Sequence, residues 1–263
     1  MALSHKWALI TGASSGIGKA LAYVHAKRGG NLIIVARREK QLLALKDELE
    51  QTYSVEVEVI AKDLTQPNTA QQLYNEVKTR GLSVEYLINN AGFGGLGKFH
   101  ERPWELDKAM IQLNILALTE LSRLFLPDFV ARNSGRILNV SSTASLVPGP
   151  LQAVYYAGKA YVTSFSYALA EELRTSSVTV TALLPGATES EFAGVSGMDK
   201  TLLFQKPYRA SSVAHAGYKA MEAGKLSVVA GISFGQRLML LAIPLLPKKL
   251  ILQQISQMQQ PRS

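Results

Sequence analysis

The chain has 263 residues, 47% of them hydrophobic, with no cysteine and with 28 Lys+Arg against 20 Asp+Glu, a formal net charge of +8. That is enough chain for one large α/β domain with a sizeable core. The lack of cysteine excludes a disulfide framework, a zinc-cysteine site, an iron-sulfur cluster and a thiol nucleophile, and it suits a reducing compartment.

The opening MALSHKWALITG has no basic stretch followed by a long apolar run, so no secretory signal is expected. No window reaches the roughly 18 apolar residues of a spanning helix. The nearest, Leu238 to Leu252, is cut by Pro244, Pro247, Lys248 and Lys249. The positive balance is concentrated near the C-terminus: residues 223–263 hold five cations (Lys225, Arg237, Lys248, Lys249, Arg262) and no acid, which leaves 8 − 5 = +3 for the rest. RNA-binding aromatics are not interleaved with these cations, so nucleic acid is not an expected partner.

In chain order, short β-rich apolar runs alternate with stretches of helical period, the pattern of βαβ units around a parallel sheet. Strands are predicted near Trp7 to Thr11, Leu32 to Arg37, Val55 to Ala61, Tyr86 to Asn89, Arg136 to Val140, Val178 to Leu184 and Ser227 to Ala230. Helices fill the intervals. The second shows its apolar stripe at Leu42, Leu45 and Leu49, and Pro67 is expected as the first residue of the third. No linker or internal repeat divides the chain, so residues 1–263 read as a single domain on a doubly wound, Rossmann-type α/β sheet of about seven strands.

Two segments stand outside that rhythm. Residues 186–209 (GATESEFAGVSGMDKTLLFQKPYR) are long and irregular for a connection, which suggests a lid, and its apolar Phe192, Val195, Met198, Leu202, Leu203 and Phe204 need something apolar to cover. Residues 236–263 add an apolar, basic extension. It either packs on the lid or another subunit, the favoured reading, or lies on an acidic membrane surface.

Thr11 to Gly18 (TGASSGIG) joins the first strand to a helix. Glycines there let the backbone approach a pyrophosphate, whose charge then sits at the helix N-terminus. The spacing is GxxxGxG, and a bland tight turn would use the same residues. In a site selecting NAD an acid stands at the end of the second strand to hold the ribose 2′-hydroxyl. Here that place reads Ala36-Arg37-Arg38, and two arginines suit a 2′-phosphate, so NADP(H) is expected over NAD(H).

A tyrosine followed four residues later by lysine occurs at Tyr23/Lys27, Tyr74/Lys78 and Tyr155/Lys159. Each pair shares one helix face. The third alone has a hydroxyl partner, Ser142, thirteen residues upstream at a strand end.

TGASSGIG, Asn89-Asn90-Ala91-Gly92, Asn114, Ser142, Tyr155-Tyr156-Ala157-Gly158-Lys159 and Pro185-Gly186 stand in the order and spacing of the short-chain dehydrogenase/reductase family, whose compact single-domain branch the chain resembles over residues 5 to 232. The family's active-site text after the tyrosine is often Ser-Ala-Ser-Lys, where this chain has Tyr-Ala-Gly-Lys. The resemblance implies a carbonyl reductase or alcohol dehydrogenase. Tyr155 would exchange the proton, and Lys159 would lower its pKa together with the positive charge of the oxidised nicotinamide and would hold the nicotinamide ribose. Ser142 would polarise the substrate carbonyl, Asn114 would anchor the lysine's proton relay through water, and hydride would pass from the nicotinamide. It also implies that Gly12, Ser14, Ser15, Gly16, Ile17 and Gly18 line the cofactor, with Asp63 and the adjacent Leu64 at the adenine and Asn90, Ala91 and Gly92 by the adenosine ribose. Pro185 and Gly186 would lie near the nicotinamide, with Thr188 or Ser190 on its carboxamide. No metal is implied.

Phe93 to Pro103, Thr143 to Gln152 and the lid are expected to rim the substrate pocket. Phe93, Leu96, Phe99, Leu146, Val147 and Leu151 point to an apolar lipid, steroid or 3-oxoacyl carbonyl. Two rivals are a non-catalytic NADP(H)-binding regulator, opposed by the intact catalytic set, and a sugar-nucleotide epimerase, opposed by the glycine spacing and the little chain after the last strand. The resemblance further favours homodimers or homotetramers through helices around residues 105–130 and 153–172, and a cytoplasmic protein, peripheral to membranes if the tail binds them.

Overall fold

The computed structural model describes Leu3, residues 5–243 and residues 246–260, apart from the side chains of Lys200, Leu203 and Leu241. Pro244, Arg262 and the extreme ends of the 1–263 domain therefore lie outside the described residues.

Seven strands form one sheet: β1 Trp7–Thr11, β2 Asn31–Ala36, β3 Val57–Ala61, β4 Val84–Asn89, β5 Gly135–Val140, β6 Val178–Pro185 and β7 Ser227–Ala230. All pairs are parallel, in the order β3-β2-β1-β4-β5-β6-β7. Alternation along each strand feeds two cores. Ala8 and Ile10 of β1 face Leu21, Leu42, Leu45 and Tyr218, while Leu9 faces Leu73, Leu121 and Phe125. Thus α1 Gly16–Ala26, α2 Glu39–Tyr53 and α8 Ala210–Glu222 cover one face, and α3 Thr69–Thr79, α5 Leu118–Ala131 and α6 Ala153–Glu172 cover the other. Each large apolar side chain taken fully from water there contributes about 1.5–3 kcal/mol.

The run from α4 Trp104–Ile111 through a π-helical turn at Gln112–Ala117 to the end of α5 is long and apolar enough to span a membrane by length and composition, contrary to the sequence expectation. Its mean hydropathy is high enough despite the polar residues that interrupt an unbroken apolar run. Its Ala117, Leu121, Phe125 and Phe129 belong to the core beneath the sheet.

Several boundaries differ from expectation for local reasons. The third helix begins at Thr69, beyond Pro67, because Asp63 Oδ1 accepts from the Thr65 N–H and hydroxyl and Asn68 adopts φ 62° before the helix can start. The third strand begins at Val57, since Ser54 ends α2 in a left-handed conformation and the Glu56 and Val57 N–H groups donate to the Asn31 and Glu50 side chains. The second strand stops at Ala36, one residue before Arg37.

Residues 186–209 carry α7 Phe192–Ser196 and 3₁₀ turns at Met198–Lys200 and Leu202–Phe204. The base of this segment is closed by a bridge: the Glu189 N–H donates to Tyr208 O at 2.8 Å and the Tyr208 N–H to Ala187 O at 2.9 Å. After β7 the chain forms α9 Phe234–Ala242, opened by a reciprocal Ser233/Gln236 capping box, and α10 Lys248–Gln259.

Strand order reverses at β1, whose neighbours are β2 and β4. Ligands of open α/β sheets sit outside the strand carboxyl ends at such a point.

Candidate active site

At the carboxyl end of β1 the glycine turn is laced to β4. Asn90 Nδ2 donates to Thr11 O at 2.9 Å and to Gly12 O at 3.2 Å, while Thr11 Oγ1 accepts from the Asn90 and Ala91 N–H groups at 3.0 Å each. Gly12 and Gly16 have φ of +67° and +54°. A Cβ at Gly18 would lie 2.3 Å from Gly12 O and 2.4 Å from Asn90 Nδ2. Only bare backbone fits here, and it forms a shallow cradle at the N-terminus of α1, where no side chain caps the first turn. That is the geometry that receives a pyrophosphate.

The cradle opens into a cavity of about 510 Å³ that runs along the sheet's carboxyl edge and under the 186–209 segment. Every predicted cofactor-contacting residue lines it except Gly18, which lies beneath the turn. Arg37 is exposed at its rim. Arg38 donates through Nη2 to Ser14 Oγ at 3.0 Å and Ser15 Oγ at 3.1 Å. The same Nη2 lies 2.7 Å from Glu191 Oε2, an ion pair between the end of β2 and the 186–209 segment. Asp63 and Leu64 line the same end of the cavity.

Toward the middle, β5 ends at Val140 and delivers Ser142, and the first turns of α6 deliver Tyr155 and Lys159. The Tyr155 phenol is 8% exposed and hydrogen-bonded to Ser142. Ser142 Oγ also accepts from the Ala144 N–H at 3.1 Å. Lys159 Nζ donates to Val140 O at 2.8 Å and stands 5.9 Å from the Tyr155 ring. Burial pushes the Tyr155 phenol up to about 12, against the pull of the Ser142 hydrogen bond, and pushes the Lys159 ammonium down to about 8. The lowering expected from Lys159 acting together with a bound oxidised nicotinamide would have to work against this burial. Both groups sit in a low-dielectric floor, and the ammonium is directed at the Val140 carbonyl.

Asn114 lies in the π-helical turn. Its side chain clamps Phe93, accepting from the N–H at 3.1 Å and donating to the carbonyl at 2.9 Å. A Cβ at Gly92 would come within 3.0 Å of Asn114 Oδ1 and 3.4 Å of Lys159 Nζ, so Gly92 is the spacer between these two side chains. At Gly186 a Cβ would meet Gly231 O at 2.2 Å, which fixes glycine after Pro185. Thr188 is buried and donates to Gly186 O at 2.9 Å, and Ser190 follows it along the cavity wall. The other tyrosine–lysine pairs are elsewhere: Tyr74, half-buried against Phe125, donates to Asp128 at 3.2 Å, Tyr23 bonds Glu48, and neither lines the cavity.

The far end is apolar. Phe93 and Val147 line it as expected, but Leu96, Phe99, Leu146 and Leu151 do not, and Phe99 and Leu146 are exposed. From the 186–209 segment Phe192, Val195, Met198 and Phe204 line the cavity, with the Phe192 ring 5.4 Å from that of Tyr155. Leu202 is exposed, and the Leu203 side chain lies outside the described residues. Met239, Ile243, Ile251, Ile255 and Met258 of α9, α10 and their junction complete the wall.

Two features were not singled out in the sequence: the Arg38–Glu191 pair, and a buried chain of polar groups through Gln152, Gln259 and Tyr156. Glu191 could have been noticed as an acid in the expected lid. Gln259 carries no local signal.

A family model described as short chain dehydrogenase matches residues 6–200. The chain is 34% identical over 201 residues to the very-long-chain 3-oxoacyl-CoA reductase of Macaca fascicularis, covering 72% of this chain and 62% of that one. It therefore spans about three fifths of the length of that relative. It is 33% identical over 183 residues to a 7beta-hydroxysteroid dehydrogenase of Collinsella aerofaciens, covering 70% and 69% of the two chains. Among solved structures, a 7beta-hydroxysteroid dehydrogenase superposes with a TM-score of 0.86 at 26% identity, covering 97% of this chain and 100% of that one. A short-chain dehydrogenase from Sphingobium yanoikuyae in complex with NADPH gives 0.81 at 32% identity, covering 94% and 95%.

Proposed function

Because the chain belongs to the short-chain dehydrogenase/reductase family, whose members are oxidoreductases that bind a nicotinamide cofactor, we propose that it is an NADP(H)-dependent reductase of apolar ketones or aldehydes, or the dehydrogenase of the matching alcohols. The observation that carries this reading is the meeting of Ser142, Tyr155 and Lys159 beside the glycine cradle in one cavity with an apolar far end.

Gly12, Ser14, Ser15, Gly16 and Ile17 would hold the pyrophosphate, over the close contact made by Gly18. Asp63, Leu64, Asn90, Ala91 and Gly92 would border the adenosine, with Pro185, Gly186 and Thr188 at the nicotinamide end. Arg37 and Arg38 favour a 2′-phosphate, because two guanidinium groups and no carboxylate of β2 stand at that place. The bound cofactor supplies or accepts the hydride. Ser142 donates a hydrogen bond to the substrate oxygen and stabilises its developing charge. Tyr155, kept protonated by burial, delivers the proton in the reductive direction. Lys159, braced by the Val140 carbonyl, sets the electrostatics beneath the phenol, and Asn114 steadies that floor through Phe93 and across Gly92.

The apolar wall supports a lipid, steroid or 3-oxoacyl carbonyl. Exposed Leu116, Val130 and Tyr161 support a homodimer or homotetramer through the helices around residues 105–130 and 153–172. The inner face of the C-terminal extension closes the cavity, and its outer face presents exposed Phe234, Leu238 and Leu250 near Arg237, Lys248 and Lys249. That face suits a cytoplasmic protein with peripheral contact to acidic membranes.

The test is a carbonyl screen with NADPH and with NADH, following loss of the reduced nicotinamide. Turnover of long-chain or steroid ketones with NADPH supports the reading. Preference for NADH, or for small polar carbonyls, counts against it.

A further inference from the structure

Gln152 precedes α6, between the pocket-rimming loop and Tyr155, and is 2% exposed. Its Nε2 donates to Met198 Sδ at 2.8 Å and to Gln259 Oε1 at 3.1 Å. Gln259, the last residue of α10, is fully buried and donates through Nε2 to the Tyr156 hydroxyl at 2.8 Å. Three distant segments, the start of α6, the 186–209 segment and the end of the C-terminal extension, thus meet in one polar chain inside an apolar wall.

That chain is one bond short. Gln152 Oε1 is buried without a hydrogen-bond partner. Three other buried side-chain oxygens among the described residues share that condition, those of Asn89, Ser145 and Glu222, and none of these residues lines the cavity, whereas Gln152 does. An orphaned amide oxygen in an apolar setting costs free energy, and native structures keep one where a ligand or solvent completes it. A resident water needs two to four polar partners, while Gln152 contacts Met198 in a cavity whose wall also carries Phe192, Ile255 and Met258, with Gln254 the polar member of the α10 lining.

We propose that Gln152 is a specificity residue that binds a hydroxyl group of the substrate, held in place by Gln259 and Tyr156. A hydroxyl both donates and accepts. It satisfies Gln152 Oε1 as drawn, and it satisfies Gln152 Nε2 equally if both amides are turned end for end, when Gln259 Nε2 donates to Gln152 Oε1 and the Tyr156 hydroxyl to Gln259 Oε1. A carboxylate meets only the second arrangement, and an ammonium would be stripped of water against apolar side chains. The substrate class narrows to carbonyl compounds with an apolar skeleton and a separate hydroxyl. This rests on the carbonyl-reductase reading.

The experiment uses a ladder of 2-decanones with one hydroxyl moved stepwise from C4 to C10, against decan-2-one. Two readouts are taken on the full chain: KM and kcat with NADPH, and Kd by calorimetry in the presence of NADP+. At one or more positions the hydroxyl should tighten binding about tenfold, in KM and Kd, because a site built for a hydroxyl rejects the analogue lacking it. Gln152→Leu should bring that ratio to about one. Gln259→Leu, at the last residue of α10, should lower it as well, which keeps the test valid if the first variant folds poorly. A flat ladder in the unaltered protein, water then completing the amide, overturns the proposal, as does a ratio that survives both substitutions. Absence of turnover with the calorimetric preference intact would instead refute the reductase reading and leave the hydroxyl site standing.

Discussion

Glu191 Oε2 lies 2.7 Å from Arg38 Nη2, so the segment over the cavity is tied by charge to the end of β2, beside Ser14 and Ser15 of the glycine turn. The guanidinium holds the Glu191 carboxyl below the usual carboxylate range. A cofactor 2′-phosphate at this place would compete with Glu191 for Arg38. Both partners are more than a third exposed, so the pair is screened and weak, about 0.2–1 kcal/mol. Glu191→Gln should therefore tighten NADPH binding by no more than about fivefold. Fluorescence titration checks this, and the gain should shrink as salt is raised.

Arg38 is expected to discriminate between the two cofactors. Charge-assisted hydrogen bonds contribute about 1.5–3 kcal/mol, so Arg38→Ala should reduce the ratio of NADPH to NADH affinity by about tenfold or more. Titrating both cofactors into both proteins gives that ratio directly.

Gly18 cannot accept a methyl group, because a Cβ would strike Gly12 O at 2.3 Å and Asn90 Nδ2 at 2.4 Å, one of them backbone. Gly18→Ala should cost about 1–3 kcal/mol of stability, the usual range for overpacking. Cofactor affinity should fall with it as the cradle is pushed open. Thermal unfolding with and without cofactor separates the two effects.

Lys159 gives a pH signature independent of turnover. Its folded pKa is about 8 against an ordinary 10.5, lowered by burial. Below about pH 8 both folded and unfolded states carry the proton, and the burial penalty is fully present. Between these values the unfolded chain holds a proton that the folded protein has shed, so stability from this group rises with pH across the window. The stability of the unaltered protein relative to Lys159→Met should rise from about pH 8 to 10.5 in denaturant titrations. A flat or falling difference would place the lysine in a more polar setting.

The fold and the middle of the site were legible because local pattern decides them. Alternating Ala8, Leu9 and Ile10 announces a strand buried on both faces, and only Tyr155 among three tyrosine–lysine pairs has Ser142 at a strand end. Pro67 misled because a helix start depends on turn chemistry at Asp63 and Asn68 that proline preference does not reveal. The pocket wall was half legible: Phe93 lines it and Phe99 does not, since which apolar residue of a loop turns inward is a tertiary matter. Gln259 reaches Gln152 across 107 positions, a pairing no local pattern encodes. The direction of the Tyr155 shift was hidden too, because burial outweighs the Ser142 hydrogen bond.

The central claim is that Tyr155 delivers the proton to a carbonyl bound beside the nicotinamide. Its most direct test is Tyr155→Phe, measured by single-turnover reduction of a long-chain or steroid ketone alongside NADPH affinity. The phenyl ring keeps the packing against Phe192 and loses the hydroxyl. Reduction should fall by at least about 10²-fold, the lower bound of what a positioned acid contributes, with NADPH binding retained. Reduction at the rate of the unaltered protein would contradict the account.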